Sequence, residues 1–258
     1  MGIIRTDQWL KDYFDRPMKI CEKLKPYFKG QTADDIYNQL LKFGMYRPSK
    51  ASRNHLGDMI DYNAWEKVDK IFRKYQKKWS GPDIPIFLFP LGQERGFFLR
   101  QSERRKAGVS FPDKMFLFLS YYDDPKEIEA LFVHEYHHVC RLRALNKRLE
   151  EYTLLDSIII EGLAEYAVLE NCGEKYLANW CHMYSEKELD FFWDQFLKKR
   201  LNRKKHERVH DELLYGGGRF PQLLGYAAGY HIVGKYYSRN QYTANSSFTI
   251  SASRFINE

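Results

Sequence analysis

Residues 124–145 read Asp-Pro-Lys-Glu-Ile-Glu-Ala-Leu-Phe-Val-His-Glu-Tyr-His-His-Val-Cys-Arg-Leu-Arg-Ala-Leu. They carry a helix start and a metal-ligand pattern in one stretch. Asp124 stands where an N-cap belongs, Pro125 fits the first helical position, and Glu127 follows three residues after the cap, so a helix to about Leu145 is predicted. Inside it, His134-Glu135-Tyr136-His137-His138 satisfies H-E-x-x-H. Residues four apart stand one above the other on a helix, so His134 and His138 can grip one zinc ion together. Glu135 is rotated by about 100° from His134, beside the metal and within reach of its water. Zinc lowers that water's pKa from about 15.7 to about 7, and a neighbouring carboxylate then takes its proton. This is equipment for attack on an amide carbonyl. His137 lies off the ligand face, as a near neighbour or a partly exposed residue, and Cys140 points away from the metal.

A chain this long meets the pentapeptide by accident on the order of once in a hundred, so the next helix matters. Thr153-Leu154-Leu155-Asp156 opens it, and it ends near Gly173. Its apolar run Ile158-Ile159-Ile160 is followed by Glu161 and Glu165. Carboxylates on an apolar segment are costly unless a charge compensates them. A zinc ion with its histidines does so, which makes Glu161 the third ligand and Glu165 an acceptor for the free N–H of His134. The plain alternative is an amphipathic helix with surface glutamates. Arg141 is expected to form a structural salt bridge with an acid such as Glu165 or Asp156.

Working outward, the first eighty residues read as helical. Trp9, Tyr13, Met18 and Ile20 share one segment, Ile36, Leu40, Leu41 and Phe43 a second, and Asp58 towards Lys77 forms a third. Gly81-Pro82 breaks the pattern. Ile84–Phe89 reads as a strand, and Gly96–Leu99 as another. Ala107–Phe111 and Met115–Ser120 flank Pro112-Asp113 as an antiparallel hairpin. If this hairpin forms the sheet edge over the cleft, Gly108 and Val109 pair with an extended peptide substrate. Ser185-Glu186-Lys187-Glu188 opens a further helix, and a last one runs from about Pro221 to Tyr237. The tail from Asn240 reads as irregular. The expected organisation is a helical region, 1–82, packed on a catalytic part, 83–258, as one helix-dominated α+β unit.

The 258 residues are 44% hydrophobic and 29% charged, with 19 Tyr and 18 Phe, a composition that excludes a disordered chain. No apolar run is long enough to span a membrane. The start, Met1-Gly2-Ile3-Ile4, lacks the form of a secretory signal, although it fits the loose myristoylation pattern. Four scattered cysteines fit reduced thiols and a cytoplasmic location. The net charge is +7, but basic residues are interleaved with acids. The one cluster, Lys198-Lys199-Arg200 with Arg203-Lys204-Lys205, reads as a solvated helix end, with no nucleic-acid partner expected.

His134–His138 followed by Glu161-Gly162-Leu163-Ala164-Glu165 resembles the gluzincin metallopeptidases. With Val139-Cys140-Arg141 and Gly225-Tyr226-Ala227-Ala228-Gly229-Tyr230, it looks like the YjaZ-like bacterial family of predicted zinc-dependent proteases, over roughly residues 85–237. The resemblance implies a zincin-like (gluzincin) fold, with a small mixed sheet beside the active-site helix. It also implies one zinc ion held by His134, His138 and Glu161, Glu135 as general base, and a Tyr or His that stabilises the oxyanion. Tyr226, Tyr230 and His231 are candidates for that last role, Tyr230 first, although two tyrosines four apart also read as core packing. Two rival readings are a structural zinc site in a regulatory or lapsed protein, with His137 or His182 as a fourth ligand, and a basic interaction protein without metal.

Overall fold

Pro17 and Asn63 divide what hydrophobic spacing reads as continuous helices. The computed structural model describes residues 1–92, 106–120 and 124–257, so the strand expected at Gly96–Leu99 lies outside the described residues. The chain divides into two compact units, Met1–Val139 and Cys140–Glu258, and the boundary falls inside the helix that begins at Pro125.

In the first unit, the segment from Trp9 to Ile20 is two helices, α1 (Thr6–Tyr13) and α2 (Pro17–Leu24), with Pro17 at the first position of α2. Proline lacks the N–H that would continue α1. Helix α3 (Ala33–Leu41) starts on a reciprocal Thr32–Asp35 cap. The third predicted segment is likewise two helices, α4 (Lys50–Asp61) and α5 (Ala64–Trp79), separated by Asn63 at φ 55°, a left-handed conformation that Asn tolerates. The sheet comprises β1 (Gly2–Ile3), β2 (Pro85–Pro90), β3 (Lys106–Phe111) and β4 (Lys114–Leu119) in the order β1-β2-β4-β3. Its β1–β2 and β2–β4 pairs are parallel, and β3–β4 is the expected antiparallel hairpin around Pro112-Asp113. Every residue of β2 and β4 is buried, which explains their unbroken apolar sequences. Strand β3 is an edge strand among the described strands.

Helix α6 (Pro125–Leu145) carries the H-E-x-x-H residues. Its Phe132 and Tyr136 pack against Phe72, Tyr75 and Trp79 of α5. Trp79 stacks on Tyr136 at 5.9 Å and 8°, and Phe72 meets Tyr136 edge-on at 5.6 Å. Such aromatic pairs each contribute roughly 0.5–1.5 kcal/mol beyond burial. The Tyr136 hydroxyl donates to the Pro82 carbonyl at 2.9 Å. Glu129 accepts from Lys74, Tyr75 and Lys126 at 2.6, 2.7 and 2.8 Å. Burial alone would raise its pKa, but these hydrogen bonds outweigh it and hold the carboxyl at about 2.

The second unit is built on α7 (Leu154–Cys172), opened by the reciprocal Thr153–Asp156 cap and closed by Gly173 at φ 95°. The remaining helices are α8 (Glu186–Phe192), α9 (Arg208–Tyr215), α10 (Leu224–Tyr237) and α11 (Ala244–Thr249). Ile158, Ile159 and Leu163 of α7 form a core with Leu213, Leu214, Leu224, Ala228 and Val233. The tail from Asn240 is not irregular: α11 forms there, followed by a short helical turn at Ala252–Phe255. Its polar sequence hides the reason. Thr243 caps α11, and the buried Arg141 guanidinium donates to the carbonyls of Ser247 and Ile250 at 2.6 and 2.9 Å. Those carbonyls take the place of the salt bridge expected for Arg141, while the Asp156 carboxylate accepts from Lys147 at 2.6 Å. Burial lowers the Arg141 pKa to about 10. In the basic cluster, Lys198 pairs with Asp194 and Arg203 with Glu207. The described residues therefore make a helix-dominated α+β protein with a small mixed sheet, and no described helix is long and apolar enough to cross a membrane.

Candidate metal centre

The i, i+4 spacing on α6 stacks two imidazoles. The His134 and His138 rings meet edge-on, 4.6 Å apart, with their Nε2 atoms separated by 3.1 Å. Two ligand atoms each 2.0–2.1 Å from one tetrahedral zinc stand about 3.3 Å apart, so the pair already has a chelating separation. His137 is fully buried, its ring edge-on to Trp79 at 6.1 Å. It is therefore part of the aromatic packing and not partly exposed.

Glu135 is 7% exposed, and its carboxylate lies against β3. The Ser110 hydroxyl reaches Glu135 Oε2 at 2.6 Å and the Glu135 carbonyl oxygen at 2.8 Å. A Cβ at Gly108 would stand 2.5–2.6 Å from the Glu135 carboxylate group. The hairpin edge expected at Gly108 and Val109 thus runs beside α6. Sequence reasoning named this segment for substrate and missed the Ser110 contact, because a serine on an edge strand gives no signal by itself.

Glu161 lies on α7, next to Gly162. A Cβ at Gly162 would stand 2.2 Å from the Gly229 carbonyl oxygen, and one at Gly229 would stand 2.1 Å from that of Ile158. Only glycine permits α7 and α10 to approach so closely. His134, His138 and Glu161 each offer a ligand atom, and these atoms all lie within 4.8 Å of one another. Two imidazoles and a carboxylate are a fitting donor set for zinc. Among the described residues, this is the one group of three or more such side chains able to hold a metal ion.

Glu165 is buried and accepts the backbone N–H of Ala178. Tyr226 and Tyr230 both set their rings edge-on to Trp180, at 5.3 and 6.5 Å. Burial pushes the Tyr230 phenol up, and Cys181 and Glu165 push it further. Burial likewise raises Tyr215, with the Glu161 charge next in size, while a hydrogen bond with Tyr226 works against the rise. Tyr215 escaped the sequence reading because α9 was not recognised. His231 stands 3.4 Å from Asp190 and lines a groove with Trp193, Ile232, Lys235 and Tyr236. None of His134, His138 and Glu161 lines that groove.

Residues 64–257 match the family described as "Predicted Zn-dependent protease (DUF2268)". The chain belongs to this family. It is 34% identical to the uncharacterized protein YjaZ of Bacillus subtilis (strain 168), over 99% of this chain and 98% of the relative. It is 26% identical to the uncharacterized protein YjfC of the same organism, over 51% of this chain and 46% of the relative. No solved structure matches significantly. The resemblance to the YjaZ-like family of predicted zinc-dependent proteases is the one the comparisons return. The match to the Zn-dependent protease family begins at Ala64, upstream of the boundary read from sequence, and takes in the aromatic face of α5.

Proposed function

We propose that this protein is a zinc-dependent metallopeptidase that hydrolyses peptide bonds in a peptide or protein substrate. The observation that carries the reading is the convergence of His134, His138 and Glu161 within 4.8 Å, with Glu135 adjacent in the chain. When bound, a zinc ion supplies Lewis acidity at an open fourth position, acidifying water and polarising the scissile carbonyl. Glu135 removes the proton of the attacking water and passes it to the leaving amine nitrogen. Its burial keeps bulk water from competing for that carboxylate. Glu165, buried one turn beyond Glu161, is assigned to orient His134.

Gly108 and Val109 bind substrate through the backbone of the β3 edge, as an added strand. Of the three candidate oxyanion donors, Tyr226, Tyr230 and His231, the role is assigned to Tyr230. A phenol is a protonated donor at neutral pH, whereas His231 is engaged with Asp190. This reading places residues 83–258 in a zincin-like, gluzincin-type catalytic part and residues 1–82 in a supporting helical region, in a cytoplasmic enzyme.

Metal analysis combined with a casein-cleavage assay tests the proposal. One zinc per chain is expected in both the wild type and Glu135→Gln, with cleavage by the variant lower by about 10²–10⁴-fold. Equal zinc and equal cleavage in the two proteins would remove Glu135 from the mechanism.

A further inference from the structure

Residues two apart on a strand face the same side, and Gly108 and Ser110 of β3 both face the Glu135 carboxylate. Their contributions are opposite in kind. The Ser110 hydroxyl lies 2.6 Å from Glu135 Oε2, the length of a charge-assisted O–H···O⁻ bond. Gly108 contributes an absence: a Cβ there would stand 2.5 Å from Glu135 Cγ and 2.6 Å from both Cδ and Oε1. One carboxylate oxygen is therefore held, and the other lies over a position that any side chain would fill.

We propose that Gly108 and Ser110 form a cradle that positions the general base. Ser110 fixes the rotation of the carboxylate through Oε2, and the bare backbone of Gly108 leaves the space in which Oε1 lies against β3. Ser110 is a positioning residue; it acts through Glu135 and not on the substrate. The contact to the Glu135 carbonyl oxygen at 2.8 Å gives the hydroxyl a second acceptor on the same residue, so β3 is tied to α6 at the turn that bears the base. The same edge strand is assigned to substrate, so the strand that would pair with the peptide also braces the base. Misplacement of a reacting group by 1 Å can cost about 10²-fold in rate.

The inference rests on the peptidase reading of Glu135 for its rate consequence, but not for its geometry. Crystal structures and casein kinetics of Ser110→Ala and Ser110→Thr test it together. In Ser110→Ala, the Glu135 carboxylate is expected to leave its single orientation. Zinc content should be unchanged, kcat should fall by about 10–100-fold, and KM should stay within about twofold. Ser110→Thr keeps the hydroxyl and is expected to restore both the orientation and kcat. A Glu135 carboxylate that stays in place in Ser110→Ala, or a Thr variant as impaired as the Ala variant, overturns the cradle. A wild-type protein that binds zinc but cleaves nothing overturns the peptidase reading instead, and the carboxylate orientation in the two variants then decides the cradle alone.

Discussion

Gly162→Ala probes how the fold sets Glu161, the proposed third ligand. Its Cβ would stand 2.2 Å from the Gly229 carbonyl oxygen, 2.3 Å from its carbonyl carbon and 2.9 Å from the Tyr230 nitrogen. All three are backbone atoms, so no rotamer change relieves the clash. An ordinary contact begins near 3.4 Å, which requires the α7 and α10 backbones to separate locally by about 1.2 Å. Overpacking against a rigid neighbour costs about 2–4 kcal/mol. Replacing Gly by Ala inside a helix returns about 1 kcal/mol, leaving a net loss of about 1–3 kcal/mol. Glu161 is the adjacent residue, and a shift near 1 Å exceeds the roughly 0.2 Å tolerance of zinc–ligand distances. Zinc affinity should therefore fall by at least about 10-fold. Urea denaturation of the apo protein measures the first quantity, and competition with a chromogenic chelator the second. A Gly162→Ala protein as stable as wild type, with unchanged zinc affinity, would refute the close-crossing argument.

Arg141→Ala strands the carbonyls of Ser247 and Ile250 and should cost about 2–4 kcal/mol, with faster amide exchange across residues 244–250 than elsewhere. For Glu129, the folded pKa of about 2 lies below the ordinary 4.5, so its ties stabilise fully above about pH 4.5 and are lost as pH falls towards 2. Because Lys74 is 54% exposed, solvent screening reduces the contribution to about 1–2 kcal/mol. Denaturation midpoints of Glu129→Gln should converge on those of wild type over that window. Zinc at 100 times its Kd stabilises a protein by about 2.7 kcal/mol, so EDTA should lower Tm by about 5–10 °C, an effect that His134→Ala should abolish.

Much of the candidate site was legible because its signals are local. The His134–His138 spacing follows from helical geometry, and Glu161 stood out as a charge on the apolar run Ile158–Ile160. The starts of α6, α7 and α8 were readable from Asp124-Pro125, Thr153–Asp156 and Ser185–Glu188, since caps act within one turn. What stayed hidden depends on distant partners. Helix α11 is six polar-rich residues secured by Arg141, more than a hundred positions upstream. Strand β1 is two residues whose pairing with Pro85 and Ile86 no periodicity reveals. Ser110 and Gly108 gain meaning from the Glu135 carboxylate set against them. His137 reads as an ambiguous extra histidine until Trp79 is seen to bury it.

Anomalous diffraction at the zinc edge, on crystals grown with one equivalent of zinc, bears most directly on the central claim. A single peak is expected 2.0–2.2 Å from a nitrogen of His134, a nitrogen of His138 and a carboxylate oxygen of Glu161. A peak elsewhere, or none between these three side chains in a zinc-loaded crystal, would contradict it.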